Sequence, residues 1–281
     1  MGYCRPVKGG SHLTSVNRWA EPFVTRVLEW SLASGRRCPI VGLAGPQGSG
    51  KSTLAGQVVA AARRRGLNAC TLSIDDVYLG RRDRRRLART VHPLLITRGP
   101  PGTHDLALAT GLLDRLRALG AGQSIRLPRF DKRRDTRKPP SRCPTLAGPL
   151  DLVLFEGWFL KLSAEPEAAL AQPVNAFERE CDADGAFRRG CNRALADYAP
   201  LWRCIDRLLW LQPPDFRVVP AWRWQQEQAL RARGASPKGM NRRQTERFVQ
   251  RFERLSRHAM RTLPAIAEWS VALDAERRPA G

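Results

Sequence analysis

The chain has no run of about 18 uninterrupted apolar residues, so no segment reads as a membrane-spanning helix. Its opening residues, MGYCRPVKGGSHL, lack the apolar stretch of a secretory signal, and the expectation is a cytoplasmic protein without a membrane partner. It also lacks any C-x-x-C pair. The seven cysteines (Cys4, Cys38, Cys70, Cys143, Cys181, Cys191, Cys204) are dispersed and odd in number, which argues against a disulfide scaffold or a zinc ribbon and for reduced, mostly structural thiols. There is no internal repeat, no low-complexity linker and no guanine-reading N-K-x-D tetrapeptide. Lysine is scarce, at six of the 48 basic residues.

What is present is a chain of 281 residues with 42% hydrophobic content, enough to fill a substantial core and to exclude disorder as the main state. The net charge of +22 raises nucleic acid as a partner, because clustered cations gain from counterion release. The arginines, however, recur along the whole chain, densest at Arg81 to Arg89, Arg126 to Arg142 and Arg231 to Arg261. That spread fits an arginine-biased protein with small anionic substrates, and nucleic acid is not the expected partner.

Four short apolar runs carry the organisation. CPIVGLAG (Cys38 to Gly45) leads into a glycine-rich turn, NACTLSIDD (Asn68 to Asp76) into two carboxylates, DLVLFEGW (Asp151 to Trp158) into a third carboxylate, and RLLWLQ (Arg207 to Gln212) into two prolines. Separated by helical stretches, they predict an α/β fold: a three-layer α/β/α arrangement with a mainly parallel sheet and ligands at the strand C-termini. Val16, Trp19, Phe23, Val27, Leu28 and Trp30 have the spacing of an amphipathic helix from about Val16 to Ala33. Pro128 to Pro149, rich in Pro, Arg and Lys, reads as a solvated loop or flap, and Trp269 to Leu273 as a returning strand. The expected division is an N-terminal helical segment (1–36), a core with substrate loops (37–212), and a helical lid with a C-terminal segment returning to the core (213–281).

The strongest motif is GPQGSGKS, which fits G-x-x-x-x-G-K-[ST] in its required strand-to-helix setting. Gly45, Pro46, Gln47, Gly48, Ser49 and Gly50 form the loop; its glycines let successive backbone amides point at phosphate oxygens. Lys51 reaches the terminal phosphates, Ser52 can ligate magnesium, and Thr53 is a second phosphate donor. ATP and Mg2+ are therefore the expected cosubstrate and cofactor. Asp75 and Asp76 follow the second strand, where a carboxylate can accept a proton from an attacking hydroxyl or hold metal-bound water; helix capping is the plainer alternative for either. Glu156 closes a buried strand and is expected on the metal side. RGPPGTHD presents Arg98, Thr103, His104 and Asp105 from a rigid loop, His104 being as readily a structural hydrogen-bonder as a substrate contact. In WRWQQEQALRARG, Arg223 and Glu227 stand at i, i+4 with Gln226 and Arg231 on the same helix, either a closing lid that neutralises developing charge or a salt-bridged surface helix.

With these residues in view, the chain resembles the D-glycerate 3-kinase family, within the phosphate-loop kinases that include uridine kinase, phosphoribulokinase and bacterial pantothenate kinase. The resemblance runs roughly over residues 38 to 278, through SIDDVYL, HPLLITRGPPGTHD, LPRFDKRRDTR, DLVLFEGW, PVNAFERE, ADYAPLWRCIDRLLWLQ and AWRWQQEQALRARG. R-G-x-P-G-T-H-D and W-R-x-x-Q-E are the family-specific strings. It implies ATP-dependent phosphorylation of D-glycerate, a small hydroxy acid, by a monomer or homodimer. It places the catalytic base at Asp75, with Asp76 as runner-up. Tyr78, Arg98, Thr103, His104, Asp105, Asp131 and Lys132 fall on the substrate side, and Arg223, Glu227 and Arg231 in the lid. Val77 stands where phenylalanine is usual, FLKL follows Gly157-Trp158 where small residues are usual, and MNRR replaces the common start of the next helix, which Asn241 can still cap. A kinase for another hydroxyl acceptor (a nucleoside, a pantothenate-like acid or a sugar) is the alternative within the same chemistry, and an NTP-dependent nucleic-acid-binding protein the alternative outside it.

Overall fold

The short apolar runs become the strands of one sheet, because each alternates its side chains between two apolar layers. In the computed structural model, which describes residues 18–232 and 239–280, helix α1 (Glu21–Leu32) precedes strand β1 (Ile40–Ala44). Helix α2 (Lys51–Arg64) and strand β2 (Ala69–Ser73) follow. Helices α3 (Arg81–Thr90) and α4 (Leu106–Arg117) then lead through the flap region to strand β3 (Leu152–Gly157). Strand β4 (Arg207–Gln212), helices α5 (Val219–Ala232), α6 (Arg242–Gln250) and α7 (Glu253–Ile266), and strand β5 (Trp269–Ala272) complete the chain.

The sheet order is β2-β3-β1-β4-β5, and all four pairings are parallel. Along β3, Leu152 and Leu154 enter the layer shared with Val24 and Leu28 of α1 and Leu54 and Val58 of α2. Val153 and Phe155 enter the opposite layer with Leu112 and Leu116 of α4 and Ala259 and Leu263 of α7. A strand buried on both faces reads as a continuous apolar run, which is why LVLFEG carries its only charge at the end. Parallel pairing brings every strand C-terminus to one edge: Glu156 lies in register with Leu43 of β1 on one side and Ser73 of β2 on the other. The expected three-layer fold is the one formed.

Helix α1 begins at Glu21 with a proline in its first turn rather than near Val16, which lies outside the described residues, as does Gly234 in the lid string. The segment from Pro128 to Pro149 is more ordered than a solvated loop. Phe130–Asp131 pairs with Thr136–Arg137, and Thr145–Ala147 pairs with Ser124–Arg126, because Ile125, Leu127 and Phe130 find buried positions beneath it. Asn241 caps α6 with a reciprocal bond pair to Gln244. Among the described residues no helix is long and apolar enough to cross a membrane.

Candidate active site

The glycine-rich loop joins β1 to α2 and is held from two sides. Gly48 (φ +77°) and Gly50 (φ +91°) adopt left-handed backbone conformations that favour glycine. A Cβ at Gly48 would stand 2.6 Å from the backbone of Trp222 in α5, and one at Gly50 would stand 3.2 Å from the ring of Trp19. The Trp19 indole also donates to the Gly50 carbonyl at 3.1 Å. Inside the loop, Ser49 is fully buried and its hydroxyl has no protein partner; the same holds for the side-chain oxygen of Gln47. Lys51 donates to the Pro46 carbonyl at 3.3 Å. Burial pulls the Lys51 ammonium below its ordinary pKa, against the opposing pull of Glu156 and Asp75. A half-buried cation with one long bond, beside orphaned polar atoms at a helix N-terminus, fits a polyphosphate.

Ser52 donates to Glu156 at 2.9 Å across the ends of α2 and β3. Hydroxyl and carboxylate oxygens are the donors magnesium takes, and that ion normally leaves its remaining positions to phosphates and water, so one such pair fits it. No group of three His, Cys, Asp or Glu side chains able to hold a metal occurs among the described residues.

Facing the loop is Asp75, in the short 3-10 turn Ile74–Val77 after β2. Tyr78 donates to its Oδ1 at 2.6 Å, and Lys132 to its Oδ2 at 2.5 Å. Burial works to raise the Asp75 carboxyl, but the Lys132 charge and the two hydrogen bonds outweigh it and hold the group well below the usual carboxylate range. Asp76 has a different role in the turn. Its Oδ2 pairs with Arg129 at 2.8 Å and closes a capping box with Ser73. Burial raises its carboxyl, with Arg129 opposing.

These groups border a cavity of about 390 Å³. Gln47, Gly48, Lys51 and Ser52 form its donor wall; Asp75, Asp76, Tyr78, Arg98 and Lys132 stand on the acceptor wall; Glu156 lies between, and Arg223 covers it from α5. Arg223 pairs with buried Glu227 at 2.9 Å and lies over the Phe248 ring.

Gly45, Pro46, Ser49, Gly50 and Thr53 of the phosphate loop and its helix do not line the cavity, and five of the expected catalytic and substrate-side residues are also off its wall. Arg231 sits at the exposed end of α5, donates to the carbonyls of Gly239 and Met240, and packs over Trp224. Thr103 is buried and ties its own loop to Gly99 and Pro100. Asp105 caps α4 through Leu108 and pairs with Arg137 at 3.0 Å. Asp131 accepts from the backbone amides of Arg133 and Arg134, which makes it the former of the flap turn. His104 lies one layer behind the wall, bonded to the Tyr198 hydroxyl at 2.6 Å and packed against Tyr78 and Phe159. Burial pushes its imidazole down to about 3. The sequence reading missed Trp158, Phe248 and Phe252 on the wall. It also missed Trp19 as a clamp on the loop, and no local string marks any of these four.

A parallel sheet whose first loop is built for phosphate, with a metal-type hydroxyl and carboxylate pair and an ionised aspartate facing it, defines a phosphate-loop kinase. No family model matches the chain. It is 32% identical over 223 residues to an uncharacterized kinase, mug58, of Schizosaccharomyces pombe, covering 76% of this chain and 78% of that protein. It is also 32% identical over 222 residues to the chloroplastic D-glycerate 3-kinase of Arabidopsis thaliana, covering 76% of this chain and 46% of that one. The D-glycerate 3-kinase structure from Cryptococcus neoformans superposes with a TM-score of 0.75 at 27% identity, over 92% of this chain and 96% of the other. The chain belongs to the same kinase family as mug58 and is similar to both D-glycerate 3-kinases. It spans less than half the length of the Arabidopsis relative.

Proposed function

We propose that the chain transfers the γ-phosphoryl group of ATP to a hydroxyl of D-glycerate, giving 3-phospho-D-glycerate. The observation that carries this reading is Asp75, paired with Lys132 on the wall of a cavity that Lys51 also lines, where Lys132 and a second cation, Arg98, can engage a small carboxylate. Two relatives bear the D-glycerate 3-kinase name.

In this mechanism the amides of Gly48 to Lys51 and the Lys51 ammonium hold and orient the triphosphate, and need little reorganisation as charge develops. Ser52 and Glu156 would hold magnesium, which when bound would spread the phosphate charge. Arg98 and Lys132 engage the acceptor's carboxylate. As Lys132 turns from Asp75 toward that carboxylate, Asp75 loses its strongest stabilising partner and becomes a better base. Asp75 then accepts the proton of the attacking hydroxyl, while Tyr78 keeps the carboxylate aimed. Arg223, fixed by Glu227, faces the phosphoryl group in flight, and α5 closes over the loop through Trp222 to exclude water.

The test is ATP consumption across a panel of hydroxy acids, nucleosides, pantothenate-like acids and sugars. D-glycerate is expected to be turned over fastest and the nucleosides and sugars at background. Faster turnover of a nucleoside or an uncharged sugar would overturn the acceptor assignment while leaving the kinase chemistry in place.

A further inference from the structure

Helix α3 reads RRDRRRLART, and of its basic residues only Arg84 is buried, with 1% of its side chain exposed. Burying a guanidinium is costly unless its donors are met by well-placed acceptors. The Arg84 Nε donates to the Leu79 carbonyl at 3.1 Å, and its Nη1 to the Ile96 carbonyl at 2.5 Å. Its Nη2 meets the Asp135 carboxylate at 2.7 Å and the Asp135 carbonyl at 3.3 Å. Each of these segments carries a group of the acceptor wall within three residues. Leu79 follows Tyr78, Ile96 precedes Arg98 by two, and Asp135 follows Lys132 by three. One buried fork therefore joins the three stretches of chain that present Tyr78, Arg98 and Lys132.

Asp135 extends the connection. Its other oxygen accepts from the Arg98 Nη1 at 2.7 Å, so one carboxylate bridges two guanidiniums, one buried and one on the cavity wall. The residue stands at φ +55°, a left-handed conformation that aspartate and asparagine adopt more readily than most side chains. Two guanidiniums and one carboxylate leave a single positive charge unmatched, and Arg98, rather than Arg84, is the member that a ligand in the cavity can reach. The arrangement calls for an anion on the acceptor.

We infer that Arg84 and Asp135 are positioning residues for the acceptor subsite: they hold Arg98 and the flap in the geometry that selects a small acceptor bearing a carboxylate or other anionic group. This rests on the kinase reading above and deepens it, since neither residue touches the reacting atoms. Replacing Arg84 would strand three carbonyls and a carboxylate and risk the fold, so the test acts on Asp135, which is partly exposed. Asp135→Asn keeps the backbone tolerance and the shape but removes the bridging charge.

Steady-state kinetics are measured for the wild type, Asp135→Asn, Arg98→Ala and the double variant, varying acceptor and ATP separately and with thermal unfolding as a control. Asp135→Asn is expected to raise the acceptor KM about tenfold while kcat and the ATP KM stay within about twofold, the split that marks lost ground-state binding. In the Arg98→Ala background the same change is expected to add less than about twofold, because residues acting as one unit are not additive. An unchanged acceptor KM overturns the inference. So does a full penalty that persists without Arg98, or a parallel shift of both KM values. Wild-type turnover of D-glycerate is scored separately and bears on the acceptor's identity. If another carboxylate- or phosphate-bearing alcohol is preferred, the cycle is run with that compound, and preference for an uncharged alcohol overturns the inference.

Discussion

The two walls of the cavity are built by different means. The donor wall is one unbroken loop whose functional groups are mostly backbone, locked by packing against Trp19 and Trp222. The acceptor wall is assembled from side chains on the turn after β2, the 97–99 segment and the flap, far apart in sequence and held by ion pairs such as Lys132 to Asp75 and Arg98 to Asp135. A triphosphate tail is the same in every reaction of this kind, and a rigid backbone cradle suits it. An acceptor is particular to its kinase, and a wall of side chains can change by single substitutions without disturbing the sheet.

The contrast is broken most severely at its centre. Asp75→Asn is expected to lower kcat by about 10² to 10³ while the ATP KM stays within about twofold, since the loss falls on proton transfer and not on the donor wall. Unchanged turnover in steady-state assays would remove Asp75 as the base. The donor wall is sharpened by Gly48→Ala, which puts a Cβ into the Trp222 backbone at a left-handed φ. The ATP KM should rise at least about tenfold with the acceptor KM unchanged. A rise in the acceptor KM of the same size would mean the walls are not independent.

The smallest effect concerns the layer behind the acceptor wall. His104 is held at about 3 in the folded chain against 6.5 when free, chiefly because burial disfavours the imidazolium, with Asp75 pulling the other way. Between those values the unfolded chain binds a proton that the folded chain refuses. This contribution to stability is therefore complete above pH 6.5 and lost as the pH falls toward 3, at up to ~1.4 kcal/mol per pH unit. Denaturant unfolding across pH 7 to 4 should show that slope in the wild type and a shallower one in His104→Gln; equal slopes would place the acid sensitivity elsewhere.

The same contrast explains what could be read without coordinates. Burial on both faces makes IVGLA and LVLFEG legible as continuous apolar runs, and parallel strands dictate that Asp75 and Glu156 gather at one edge with the loop. The donor wall was legible because its residues are consecutive. Asp75, Asp76, Tyr78, Arg98 and Lys132 of the acceptor wall were legible from the motif strings and the family resemblance, but the residues that hold them in place were not. Arg84 sits among arginines that look identical in sequence, and only the fold buries that one and leaves its neighbours in water. Asp135 reads as one more charge in a basic flap, and its role comes from reaching residues 37 and 51 positions away. Thr103, Asp105 and Asp131 belong to motif strings near the site, yet their hydrogen bonds go to their own loops, a helix N-terminus and a neighbouring strand. A motif string marks the segment that shapes a site without separating the side chains that touch a ligand from those that hold the segment in form.

The most direct test of the account is phosphorus NMR of wild-type and Asp75→Asn reactions with magnesium, ATP and D-glycerate. A new phosphomonoester coupled to the C3 protons, formed by the wild type and nearly absent with the variant at saturating ATP, is the predicted result. Inorganic phosphate as the sole product, or equal ester formation by both proteins, would contradict it.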